Sequence, residues 1–219
     1  MSFAPHRCFL CATAALLCAS AALPAAAPSW TPLFDGRTLD GFFTKPGGTW
    51  EVVDGAIHGT SSKDEKRHGI LVTEERFSDF RLKLEFKILA GDSGVYFRAR
   101  PADQVVGVLG YQAEVDTSPG ETGGIYDTGT QPRRGWIFKA PPEKVEKALR
   151  PGEWNTLEIR ASGDHIQTWL NDTPIADLHD SLGAGEGHIG LQLHGGQDMD
   201  VYYRNIVIAE EDASVDSPK

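Results

Sequence analysis

The 219-residue chain holds only three cysteines, and all of them (Cys8, Cys11 and Cys18) fall in its first eighteen positions. Everything after that stretch is therefore without a disulfide or a thiolate metal site, and its stability has to come from a packed core. Basic residues are also short: 21 Lys and Arg face 31 Asp and Glu, a net charge of -10. That balance argues against nucleic acid or an anionic membrane as a partner and leaves neutral ligands open. No His-x-x-x-His pair occurs, so metal-ligand spacing is weak. No cofactor is expected; scattered Asp and carbonyl groups leave calcium as the one divalent cation to consider. Almost no helical periodicity is present, and the strongly apolar run from Phe9 to Ala19 is shorter than the ~20 residues of a membrane span.

That run, preceded by His6 and Arg7 and followed by small residues up to Ala27, reads as a secretory signal peptide over residues 1–27, which implies export to a periplasmic or extracellular space. About 190 residues remain, enough for one sizeable domain over 28–209. Glu210 to Lys219 is acidic and rich in small residues and reads as a flexible tail.

Within the domain the strongest signal is alternation. Phe80, Leu82, Leu84, Phe86 and Ile88 alternate with Arg81, Lys83, Glu85 and Lys87, the period of a strand with one buried face. Trp50 to His58 reads as a hairpin around Asp54-Gly55, and further strands are expected near Ile70–Thr73, Trp154–Arg160, Ile166–Leu170, His188–His194 and Val201–Ile208. The only expected helix spans Glu143–Arg150, stopped by Pro151-Gly152. Roughly a dozen short strands with turn signals between them predict an all-β antiparallel β-sandwich or jelly roll. Trp30, Trp50, Trp154 and Trp169 are expected to serve packing.

Chemistry concentrates in Gly91–Arg98 and Gly110–Asp116. Alternation puts Gln112, Glu114 and Asp116 on one face of a strand, and Gly94, Tyr96 and Arg98 on one face of another. With Gln192 and His194 these polar rows are expected to meet on an outer sheet face. The long Gly- and Pro-rich stretch from Thr117 to Pro142 supplies Tyr126, Trp136 and Lys139 as loop-borne candidates.

Gly91-Asp92-Ser93-Gly94 resembles the nucleophile segment of trypsin-like proteases, but Val95 stands where a further Gly belongs and no Cys-flanked His precedes it. A turn entering a strand is the better reading. Glu114-Val115-Asp116 resembles the catalytic strand of laminarinase-like glycoside hydrolases, with Ser118 where the third acid belongs. Alternate residues sit roughly 7 Å apart along a strand, whereas a retaining pair needs its carboxyls ~5 Å apart, so ordinary double displacement is disfavoured. Glu114 pairing with Arg98, and Asp116 capping the turn before Pro119, are the structural alternatives.

Taken in order, Leu33-Phe34-Asp35-Gly36, Trp50…Asp54-Gly55, Phe80…Glu85-Phe86, Ser93–Arg98, Gly110–Glu114, Gly124-Ile125-Tyr126, Gly152–Asn155, Gly190–His194 and Tyr203–Ile206 resemble the 3-keto-disaccharide hydrolase domain family. Phe42, Asp92 and Asp172 depart from its usual Trp, Asn and Gly. The resemblance implies a concanavalin A-like jelly roll and cleavage, by hydrolysis or elimination, of glycosides that a separate sugar 3-oxidoreductase has oxidised at C3. A C3 ketone acidifies the C2 hydrogen, so a modest base can form an enolate that expels the C1 substituent. For that route Glu114 or His194 is the expected base, Arg98 the holder of the enolate oxygen and Tyr126 the acid; Gln112, Asp116, Trp136, Lys139 and Gln192 are expected to bind sugar. The same fold also serves non-catalytic carbohydrate-binding modules, the competing reading.

Overall fold

Strand parity builds the molecule. Along Phe80–Ala90 every second residue through Ile88 is buried and the intervening charges are not, as the period of two requires. The computed structural model describes residues 28–102, 105–117 and 120–211, besides Met1. The rest of the expected signal peptide, Ser118-Pro119 and residues 212–219 lie outside the described residues.

In chain order the strands are β1 (Thr31–Pro32), β2 (Phe42–Lys45), β3 (Thr49–Val53), β4 (Ala56–Ser61), β5 (Gly69–Thr73), β6 (Phe80–Ala90), β7 (Asp92–Pro101) and β8 (Val108–Asp116). After them come β9 (Ile125–Asp127), β10 (Gly135–Phe138), helix α1 (Pro142–Ala148), β11 (Asn155–Ser162), β12 (His165–Leu170), β13 (Thr173–His179), β14 (His188–Leu193) and β15 (Met199–Glu210). All pairings are antiparallel. One sheet runs β13-β12-β11-β6-β15-β4-β3 with β1 beside β15; the other runs β10-β9-β8-β7-β14-β5-β2. This is the all-β jelly-roll sandwich that the alternation predicts. Among the described residues no helix is long and apolar enough to cross a membrane.

The core lies between the sheets. Leu82, Leu84, Phe86, Ile159, Val201 and Tyr203 of one sheet pack against Val95, Phe97, Tyr111, Ala113, Val115, Leu191 and Leu193 of the other. Ser93 joins this inward row, fully buried, with its hydroxyl on the Gln192 carbonyl and the Tyr203 hydroxyl. It is a strand residue of the core rather than a nucleophile.

The Asp54-Gly55 hairpin forms as expected between β3 and β4, with both turn residues at positive φ. Helix α1 begins at Pro142, a residue that suits a first turn because its missing N–H has no partner there anyway. The long 117–142 stretch contributes β9 and β10, which extend the sheet beyond β8. β15 runs through Glu210, and Glu211 pairs with Arg160, so the acidic tail loses its first two expected residues.

Two expectations need correction. Trp154 and Trp169 lie on the outer face of the eight-stranded sheet: Trp154 covers the Arg204 guanidinium at 3.9 Å, and Trp169 stands opposite Glu158 at outward parity. Arg98 does not share a face with Tyr96. A bulge between Phe97 and Arg100, with Arg98 at φ 47°, breaks the alternation. The side chain turns away to the other sheet, where Nε and Nη1 donate to the carbonyls of Ser78 and Gly163 and Nη2 pairs with Asp79 at 2.8 Å. Arg98 is a clamp between the sheets, 2% exposed, and neither holds a site oxygen nor pairs with Glu114.

Candidate active site

The outer face of the seven-stranded sheet carries one continuous row. Trp136 on β10 is in register with Tyr126 on β9, Tyr126 with Gln112 on β8, and Gln112 with Tyr96 on β7. Glu114 lies one outward step along β8, opposite Gly94, and Gln192 lies on β14. Above them sits a cleft of about 350 Å³, walled by Tyr126 and Trp136 on one side, His68, His194 and Val106 on the other, with Asp92, Glu121 and Arg133 around it. A larger hollow of about 640 Å³ near Gly47, Gly48 and Ser61 is an open groove of loop backbone and surface charge; the buried titratable groups are in the smaller one.

The floor is an amide network. Gln112 Nε2 donates to Glu114 Oε2 and to Gln192 Oε1, each at 3.1 Å. Gln192 Nε2 in turn donates to His68 Nδ1 at 2.9 Å and reaches the Tyr96 hydroxyl at 3.4 Å. Gly94 makes this possible, because a Cβ there would come within 2.3 Å of Gln112 Nε2.

Glu114 is 5% exposed. Burial pushes its pKa well above the carboxylate range, helped by a hydrogen bond to Asp92 and the charges of Asp92, Glu121 and Asp116. The surroundings therefore favour the protonated form of Glu114. Among the described residues Asp92 Oδ1 is buried with no hydrogen-bond partner. Burial, and then Asp116 and Asp92, also raise Glu121, against the pull of Lys139. Burial, then His194 and Arg133, drop His68 to about 4, so its imidazole is neutral at ordinary pH. Tyr96 is raised by burial and by Glu114.

The Tyr126 and Trp136 rings meet edge to face, centroids 5.4 Å apart at 85°, so they form a corner rather than a flat platform. The loop between them is anchored by Arg134, which pairs with Asp127 at 2.8 Å and with both Asp180 oxygens at 2.9 and 2.6 Å.

Of the residues expected from the sequence, Glu114, His194, Tyr126, Gln112, Trp136 and Gln192 come together in the cleft. Asp116 faces a separate hollow beside Leu149 and Arg150 and acts on the cleft through its charge on Glu114 and its charge and side-chain hydrogen bond on Glu121. Lys139 is exposed beyond β10, and its charge acts on Glu121. Arg98 is elsewhere. Sequence reasoning placed Tyr96 on an outward row without a role, and missed His68, Glu121 and the effect of Asp92 on Glu114. His68 ends a charged loop with no periodicity to mark it, and 124 residues separate it from Gln192. Among the described residues, no group of three or more His, Asp or Glu side chains is arranged to hold a metal ion.

Comparison with solved structures places the fold. A glycosyl-hydrolase candidate from Parabacteroides distasonis superposes with a TM-score of 0.63 at 20% identity, over 84% of this chain and 94% of that one. The carbohydrate-binding module CBM66 from Bacillus subtilis gives 0.54 at 20% identity, over 78% and 96%. A Bacillus subtilis protein of unknown function with a galectin-like fold gives 0.56 at 13%, over 78% and 90%. Among curated proteins none matches the chain. The model of the 3-keto-alpha-glucoside-1,2-lyase-like domain matches residues 29–209, nearly the whole described structure, and the chain belongs to that family.

Proposed function

We propose that the cleft cleaves the glycosidic bond of sugars carrying a ketone at C3, by removal of the C2 proton, loss of the C1 substituent and addition of water to the resulting enone. The observation that carries this reading is a buried carboxyl, Glu114, at the floor of a cleft whose wall holds the His194 imidazole, burial favouring the protonated form of the acid. His194 Nδ1 lies 2.9 Å from the Gly195 carbonyl, which can only accept, so Nδ1 bears a hydrogen and the lone pair of the neutral ring is on Nε2. That nitrogen takes the C2 proton, the C–H electrons form the enolate, and the enolate expels the C1 oxygen. Glu114 supplies the hydrogen that the departing oxygen needs, and Tyr126 lines the same cleft. No covalent sugar intermediate is required, in keeping with a cleft in which one carboxyl is neutral. A sugar 3-oxidoreductase supplies the ketone, and residues 1–27 direct export.

A binding module is the second reading, favoured by the Tyr126–Trp136 corner and the likeness to CBM66. Incubation with a 3-keto-disaccharide and with its unoxidised parent separates the two. Cleavage of the keto sugar alone, lost in Glu114→Gln and His194→Ala, is expected. Equal cleavage of both sugars refutes the reading, and binding without turnover transfers it to the module.

A further inference from the structure

Elimination builds negative charge on the C3 oxygen, and a group must stabilise it. Arg98, the residue expected for that task, is committed to Ser78, Asp79 and Gly163. We infer that His68 is the donor: a neutral imidazole whose proton is fixed on Nε2 by Gln192, facing the ketone oxygen while its neighbour His194 accepts the C2 proton. The inference rests on the keto-sugar reading for the identity of the oxygen, but not for the tautomers.

The geometry runs from the sheet outward. Gln192 is 1% exposed, and its amide is placed with Oε1 accepting from Gln112 and Nε2 serving His68 and Tyr96. Facing an N–H₂ group, His68 Nδ1 has to be the acceptor, which leaves the ring proton on Nε2. That nitrogen has no other hydrogen bond among the described residues, and the ring lines the cleft. His194, with its centroid 4.3 Å from that of His68, carries its proton on Nδ1 against the Gly195 carbonyl. The two adjacent rings are thus set as opposite tautomers, one offering a donor and the other a lone pair. A neutral imidazole is the suitable donor here, since an imidazolium beside His194 would repel the charge that His194 acquires. The low proton affinity of His68 agrees with this arrangement. Gln192 acts through His68 and is a positioning residue.

Long-range ¹H–¹⁵N spectra of the histidine rings in the ligand-free protein test the tautomers directly. His68 is expected protonated at Nε2 and His194 at Nδ1 near neutral pH. Gln192→Glu presents a carboxylate to Nδ1, so His68 should move to the Nδ1–H or doubly protonated form and titrate well above its wild-type value. Kinetics with a 3-keto-disaccharide test the role. His68→Ala is expected to lower kcat by ~10²–10³-fold, the usual loss for one oxyanion donor, with KM changed far less. His68→Gln, whose amide can donate, should recover part of that loss. A wild-type His68 protonated at Nδ1 overturns the inference, as does a normal kcat in folded His68→Ala. Failure of the wild-type protein to cleave any keto sugar refutes the functional reading and the donor role with it, whereas the tautomer pair is decided by the spectra alone.

Discussion

At the scale of single residues, Gly94 and Glu114 show how the site is set. Gly94 faces Glu114 across β7 and β8, and its missing side chain is the space that Gln112 occupies. Gly94→Ala should push Gln112 off both of its acceptors; turnover of a 3-keto-disaccharide is expected to fall at least ~10-fold, as one buried hydrogen bond of 1.4 kcal/mol would give. Wild-type turnover in that variant would show the amide network to be irrelevant. Glu114 links the site to stability. The unfolded carboxyl loses its proton near 4.3, whereas the folded one holds it to higher pH. The folded state is therefore favoured fully below about 4.3 and loses that contribution as pH rises through the folded value. Glu114→Gln keeps a neutral polar side chain at every pH, so its melting temperature should exceed the wild-type value at pH 8 and converge on it near pH 4. Each kcal/mol gained appears as ~2–4 °C in a domain of this size. An unchanged difference across that range would mean that Glu114 is not held protonated. Glu114 itself was legible in the sequence because it shares strand parity with Gln112; His68 was not, because only the crossing of β5 beside β14 brings a loop histidine to Gln192.

At the scale of elements, parity was readable wherever a strand is regular and failed where it is bulged. β6 shows the first case: each apolar residue from Phe80 to Ile88 is buried in the order that the sequence predicts. β7 shows the second, since one residue at φ 47° carries Arg98 off the Tyr96 face, and a period of two contains no sign of that. The same bulge fixes what substitution will do. Arg98→Lys cannot serve two carbonyls and Asp79 at once, and Arg98→Ala leaves Asp79 without its cation. The alanine variant is expected to lose about 3–5 kcal/mol, as broken buried pairs do, measured by denaturant unfolding. Loss of turnover with unchanged stability would return Arg98 to the site. The β12–β13 turn gives a change of opposite sign. Asn171 and Asp172 both lie at positive φ, 47° and 64°, in a two-residue connection between Leu170 and Thr173. Asn171 must stay, since its side chain joins Thr156, Ala148 and Asn155. Asp172→Gly relieves left-handed strain and should stabilise by ~0.5–1 kcal/mol; a lower melting temperature would show that the aspartate has a role that the turn geometry does not reveal.

At the scale of the whole molecule, the proposed function makes charge the expected discriminator between substrates. The net charge of -10 was readable from composition, but the meeting of Asp92 and Glu121 at the cleft, with Asp116 close by, was not, because they come from two strands and a loop. Asp116 adds its field from the next hollow. Arg133 beside the cleft and Lys139 near Glu121 offset this only in part. A sugar bearing a carboxylate would bring a further negative charge towards Asp92 and Glu121. At ~6 Å and an effective dielectric constant of about 20, one such pair costs nearly 3 kcal/mol before screening. A 3-keto-glycoside with a uronic acid residue is therefore expected to show kcat/KM at least ~10-fold below that of its neutral counterpart. Added salt should narrow the gap, because exposed charges are screened within about 8–10 Å at ordinary ionic strength. The measurement is a pair of specificity constants for the neutral and acidic sugars at low and high salt. Equal constants would mean that Arg133 and Lys139, rather than the carboxyl group around Glu114, govern the approach to the cleft.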